Sequence, residues 1–192
     1  MWPLVNYLGT LVASWSTVAR HIRVPLGFVF AALYFWLAKP TVESILLGSV
    51  LVIPGLVLRA LASGHVQKNE QLATSGPYAY TRNPLYLGSL ILACGFALAS
   101  RSWWVVAGIL GLFLVIYLPV IRAEEAFLRE RFPQFENYAN NVPSLLPRLS
   151  QFGDTPAKFS WNLYLMHREY NALLGSAVTT GALIAKLIYL RK

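Results

Sequence analysis

The chain has 192 residues, of which 56% are hydrophobic and only 12% charged, and its mean hydropathy is +0.52. That balance excludes an ordinary soluble domain and describes an integral membrane protein. The formal net charge of +8 does not signify nucleic acid, because the basic residues are scattered between apolar segments; membrane lipids with anionic headgroups and positive-inside anchoring account for it.

In chain order, residues 2–19 are apolar but diluted by Asn6, Thr10, Ser14, Ser16 and Thr17, and read as either a first span or an interfacial helix without the basic start of a secretory signal. Arg20, His21 and Arg23 form a basic cluster, followed by an apolar run over 24–38. Lys39-Pro40 makes a turn and Thr41 is placed to cap the next run, over 41–58, with Pro54-Gly55 as a kink. The two runs form a helical hairpin, each near the lower limit of about 20 residues for a span.

Residues 59–83 are polar, with Arg59, His65, Gln67, Lys68, Asn69, Glu70 and Gln71 leading into a dense knot. Gly76-Pro77 fixes a turn there, and Pro84 pushes Asn83 away from helical angles, so Asn83 suits the N-cap of a helix whose first position is Pro84. The positive end of that helix favours an anion. Arg82 adds a forked cation, Gly88 leaves one turn open to close approach, and Tyr78, Tyr80 and Tyr86 offer ring faces. Tyr and Arg are also the usual residues of a bilayer interface.

Residues 85–99 and 103–121 form a second hairpin around Ser100-Arg101-Ser102, with Trp103 and Trp104 as an interfacial belt. Its return leg delivers Arg122, Glu124 and Glu125 to the side that carries the knot. Over 124–140, Phe127, Leu128, Phe132, Phe135 and Tyr138 lie among charges, as in an amphipathic segment resting on the membrane and broken near Pro133. A linker around Gly153-Asp154, an interfacial stretch over 161–170 and a last apolar run over 172–190 complete the chain, with Lys186 placed to snorkel and Arg191-Lys192 beyond. The expected fold is an all-α, polytopic transmembrane helix bundle of about five to six membrane helices. It is one membrane domain: N-terminal helices over 1–58, a core over 59–148, and a linker and membrane helix over 149–192. Basic residues concentrate on the side of the knot, which should be cytoplasmic, and multi-pass topology should hold it there.

Cys94 is the sole cysteine, and His21, His65 and His167 are far apart, so no metal site is expected. Ser75 sits in no nucleophile elbow, and the glycines fit neither a Rossmann nor a P-loop pattern.

The run Gly76-Pro77-Tyr78-Ala79-Tyr80-Thr81-Arg82-Asn83-Pro84-Leu85-Tyr86-Leu87-Gly88 resembles the core motif of the membrane methyltransferases that include isoprenylcysteine carboxyl methyltransferase and the phospholipid N-methyltransferases. Glu124-Glu125, Leu128, Phe132-Pro133, Tyr138 and Val142-Pro143 are similar to that family's second signature. The resemblance covers roughly half the chain, from His65 to Arg148, and implies an S-adenosylmethionine site on the cytoplasmic side. Gln67, Tyr78, Asn83, Pro84, Leu85, Tyr86 and Glu124 would contact that cofactor, Leu72 and Ala73 would line it through backbone, and Gly76, Arg82, Gly88 and Glu125 would complete the site. Arg122 and Glu124 are the catalytic candidates, and the acceptor implied is lipidic or prenylated, most simply a carboxylate. The family histidine is Asn83 here, which replaces an imidazole contact by an amide. Two alternatives stay open: a sterol- or steroid-type membrane reductase using NADPH, and a lipid-binding scaffold without turnover, for which Asn83 argues.

Overall fold

A computed structural model describes residues 26–67, 70–153 and 158–190; the expectations for residues 2–19, Arg20, His21, Arg23, Lys68, Asn69, Asp154, Arg191 and Lys192 lie outside them. Among the described residues the chain is all-helical: α1 (Leu26–Leu37), α2 (Val42–Ser63), a 3-10 turn (Gly76–Ala79), α3 (Pro84–Ser100), α4 (Trp103–Arg131), α5 (Phe135–Asn141), α6 (Trp161–Met166) and α7 (Tyr170–Leu190). Helices α2, α4 and α7 are long and apolar enough to cross a membrane, and α1 and α3 are shorter apolar helices. The molecule is a polytopic helical bundle.

Thr41 caps α2 through a reciprocal box: its hydroxyl accepts from Ser44 N at 3.2 Å, and Ser44 Oγ accepts from Thr41 N at 2.9 Å. Helices α2 and α3 then pack antiparallel along a glycine seam. A Cβ on Gly48 would lie 2.5 Å from Gly95 O, one on Gly95 2.7 Å from Gly48 O, and those on Gly55 and Gly88 3.0 Å from each other's carbonyl oxygens. Each pair repeats two turns along its helix, so only the absence of side chains lets the backbones approach.

Two ends follow from this topology. At one, the α1–α2 and α3–α4 connections meet, with Lys39 N donating to Ser100 O at 2.8 Å. Trp103 and Trp104 are exposed there, and Lys186 of α7 donates to Phe35 O and to Trp36 O, which occupies carbonyls at the end of α1. The opposite end gathers the C-terminus of α2, the start of α3, the end of α4, α5 and α6.

Pro119 lies inside α4, where it removes a donor and would clash with the carbonyl four residues earlier. The helix answers with a π-turn over Phe113–Tyr117, in which Leu118 N donates to Phe113 O. The segment after α4 departs from expectation. Instead of lying on the membrane, the apolar face of 124–140 is internal: Phe132, Phe135, Tyr138 and Val142 form a buried cluster with Leu72, Leu128 and Phe152 around it. Phe127 alone of those aromatics is exposed.

Candidate active site

The Gly76–Ala79 turn is built on backbone that only glycine adopts freely: Gly76 has φ +58°, and a Cβ there would meet the His65 ring at 2.6 Å. The strand-like stretch that follows is laced to the 143–152 segment. Arg82 N donates to Pro143 O at 2.9 Å, Arg148 N to Tyr80 O at 2.9 Å and Phe152 N to Ala79 O at 3.1 Å, while Thr81 Oγ1 donates to Ser144 O and Leu145 O. Tyr138 OH closes the group by donating to Tyr78 O at 2.7 Å.

The knot and the acidic pair meet. Glu125 accepts from Arg82 Nε at 3.2 Å and Arg82 Nη2 at 3.1 Å, from Asn83 Nδ2 at 2.7 Å and from Ser144 Oγ at 2.6 Å. Arg82 Nη1 donates to Ala139 O at 2.7 Å, and its guanidinium lies 6.0 Å from the Phe135 ring centre. The carboxylate of Glu125 therefore accepts four hydrogen bonds, while Arg82 commits three of its five N–H donors to Glu125 and Ala139 O. Arg82 thus clamps the loop to the acidic pair and to Ala139.

Glu124 is different. It is exposed and accepts a hydrogen bond from Tyr86 OH at 2.9 Å. Tyr86 in turn packs edge-on against Tyr117 at 6.0 Å between ring centres, and Tyr117 stacks on Phe113, so the π-turn carries the aromatic wall on which Glu124 rests. Arg122 is exposed on the same helix end.

Asn83 takes the N-cap position of α3 without capping it. Its amide nitrogen is turned instead to Glu125 and to Ser144 O and Oγ, which leaves the first-turn N–H groups of α3 free of any side-chain cap. Gly88 also serves another partner: it faces Gly55 O and the Arg59 stem, and a Cβ on Gly88 would lie 2.6 Å from Arg59 Cγ, so its openness is taken up by α2. Gln67 accepts from Gln71 Nε2 at 2.6 Å, and Leu72 packs on the aromatic cluster. Ala73, Pro84 and Leu85 border the same end, Pro84 fully buried.

Burial raises the pKa of the Tyr78 hydroxyl, reinforced by Tyr138, Glu124 and Glu169. Tyr138 is raised too, mainly by burial and further by Glu125, against a lowering effect of Arg82. The charges of both Glu124 and Glu169 thus act on Tyr78, and the sequence did not single out the second. Ser144, Ser89 and Glu169 were all missed; Glu169 carried a signal, as the sole acidic residue over 158–190.

This arrangement is a polar end of a helical bundle with an aromatic and acidic wall. The model of the phospholipid methyltransferase family matches residues 22–134, more than half of the chain, and the chain belongs to that family. It is 37% identical over 158 residues to the cobalt-zinc-cadmium resistance protein CzcN of Cupriavidus metallidurans, covering 78% of this chain and 71% of that protein. It is 32% identical over 133 residues to the nickel-cobalt-cadmium resistance protein NccN of Alcaligenes xylosoxydans xylosoxydans, covering 69% of this chain and 59% of that one. No solved structure matches.

Proposed function

We propose that the chain uses S-adenosylmethionine to methylate a lipidic or prenylated acceptor, a carboxylate in the manner of isoprenylcysteine carboxyl methyltransferase. The observation that carries this reading is the contrast within the acidic pair: Glu125 accepts four hydrogen bonds from Arg82, Asn83 and Ser144, while Glu124 is exposed beside Tyr86. The residues suit the cosubstrate. A carboxylate with tyrosine ring faces beside it matches a sulfonium, and the first turn of α3, free of a side-chain cap, matches an amino-acid carboxylate.

The cosubstrate supplies an electrophilic methyl carbon: the acceptor's lone pair forms the new bond as the carbon–sulfur pair returns to sulfur, leaving neutral S-adenosylhomocysteine. A carboxylate acceptor loses no proton in this step, so Asn83 in place of histidine removes no group the reaction needs. Glu124 and Tyr86 would orient the sulfonium, Arg122 would draw in the acceptor's negative charge, and the Arg82–Glu125 clamp would fix the loop against α4. We place this end on the cytoplasmic side, because Arg59, Arg82, Arg122, Arg129, Arg131, Arg148 and Arg168 gather there against Lys39, Arg101 and Lys186 at the other.

Thermal shift in detergent, with S-adenosylhomocysteine against NADPH, tests the reading. Stabilisation by the first alone supports it; stabilisation by NADPH alone, or by neither, overturns it in favour of a reductase or a scaffold. Glu124→Ala should weaken S-adenosylhomocysteine binding roughly tenfold without unfolding the bundle. Labelled S-adenosylmethionine added to membranes from cells grown with and without cobalt, zinc or cadmium identifies the acceptor and tests whether the resistance names of the two relatives apply here.

A further inference from the structure

The segment beyond the family match, over 158–190, reaches back to the site end at three points. Phe159 covers Gly64, where a Cβ would run into its ring. Ser160 N donates to Gly64 O at 3.0 Å, and the His167 ring nitrogen Nδ1 is 3.1 Å from Ser63 O. Arg168 then takes the left-handed conformation, φ +53°, which a non-glycine residue adopts only when its surroundings impose it. That turn sends the next side chain, Glu169, onto Arg59.

Arg59 Nε donates to Glu169 Oε1 at 2.5 Å, with the two side chains 23% and 10% exposed. The same guanidinium donates through Nη1 to Ser89 Oγ and to Leu85 O. Leu85 and Ser89 lie in the first turns of α3, on either side of Tyr86, and Ser89 Oγ also donates to Leu85 O at 2.9 Å. Gly88 is what admits the Arg59 stem against this turn. The charge of Glu169 also bears on the Tyr78 hydroxyl.

We infer that Glu169 is a positioning residue for the methyl-transfer site, acting through Arg59 on the first turn of α3. What the site binds rests on the function proposed above; the mechanical role does not. Without its carboxylate partner the Arg59 fork is free to swing, and with it the carbonyl of Leu85 and the hydroxyl of Ser89 lose the donor that fixes the turn carrying Tyr86. The turn that leads into α7 thereby becomes part of the site's geometry, although α7 itself is mostly exposed on the bundle's surface.

Hydrogen exchange of the full chain in detergent decides the matter. In Glu169→Gln the amides of residues 86–89 should exchange faster, while the glycine seam around Gly48 and Gly95 keeps its protection; unchanged exchange over 86–89 overturns the inference whatever the protein binds. S-adenosylhomocysteine affinity should fall roughly tenfold in the same variant. The charge swap, Arg59→Glu with Glu169→Arg, restores an ion pair but no donor to Leu85 O. It should recover thermal stability over the single variants and leave the affinity low. Recovery of both together would reduce the pair to a tether and overturn the positioning role. If the wild-type protein binds no S-adenosylhomocysteine, the functional reading fails and the exchange result still judges this one.

Discussion

Along its α2 side, α3 is held backbone to backbone by Gly48 against Gly95 and Gly55 against Gly88; along its α4 side, it is held by polar side chains, with Tyr86 on Glu124 and Arg82 and Asn83 on Glu125. The first contact depends on shape and has no room to adjust. The second depends on hydrogen bonds, of which the exposed one between Tyr86 and Glu124 is open to replacement by a polar ligand. The site proposed above would use both: a rigid wall that keeps reacting partners aligned, and an exposed carboxylate on the opposite wall.

Substitutions on the two walls should therefore fail in different ways. Gly95→Leu places a side chain where backbone oxygen stands 2.7 Å away, and the overpacking should cost about 3 kcal/mol or more. The expected result is little monodisperse protein, and a variant of wild-type yield and melting temperature would break the comparison. Glu125→Ala comes next, because it leaves Arg82 and Asn83 without their shared acceptor in a mostly buried position. A loss of about 2–3 kcal/mol is expected, read by thermal unfolding, with helical content by circular dichroism retained.

Alkaline pH sharpens the contrast further. Tyr78 and Tyr138 both lie on the polar side, and both have pKa values raised above the ordinary 10.0 in the folded state. The folded state then holds protons that the unfolded chain has released, so the stability they confer is complete below pH 10 and is lost as pH rises beyond it. Melting temperature scanned across that range should fall more steeply in the wild type than in Tyr138→Phe. The smallest effect belongs to Tyr86→Phe: an exposed hydrogen bond to Glu124 is removed, so S-adenosylhomocysteine affinity should drop only a few-fold, with stability within about 0.5 kcal/mol of wild type. Titration calorimetry measures it.

Much of this molecule was readable before its structure, wherever the signal was local. Thr41 as a cap, Pro84 as the first residue of α3, the tight Ser100-Arg101-Ser102 connection and the return of Glu124 and Glu125 to the motif all follow from neighbouring residues or from a simple hairpin. The unreadable features depend on residues far apart in sequence. Asn83 had every local reason to cap α3, and is drawn away by Glu125 and Ser144, which arrive 42 and 61 residues later. The aromatics of 124–140 had the pattern of a membrane-resting helix, and the pattern does not say whether lipid or the protein's own Leu72 and Phe152 will cover it. Gly88 was read as a turn open to close approach, and the sequence does not say what approaches it, which is Gly55 and the Arg59 stem.

The π-turn at Phe113–Tyr117 makes α4 a register device. One residue advances an α-helix by about 100° and about 1.5 Å, so deleting a single residue from that turn would shorten the span negligibly while swinging Glu124 and Glu125 about a quarter-circle off α3. The bearing of the acidic pair is set some two turns away, deep among the apolar residues of the span, at a place where no charged group stands. An insertion or deletion there would silence the site while leaving every one of its polar residues intact.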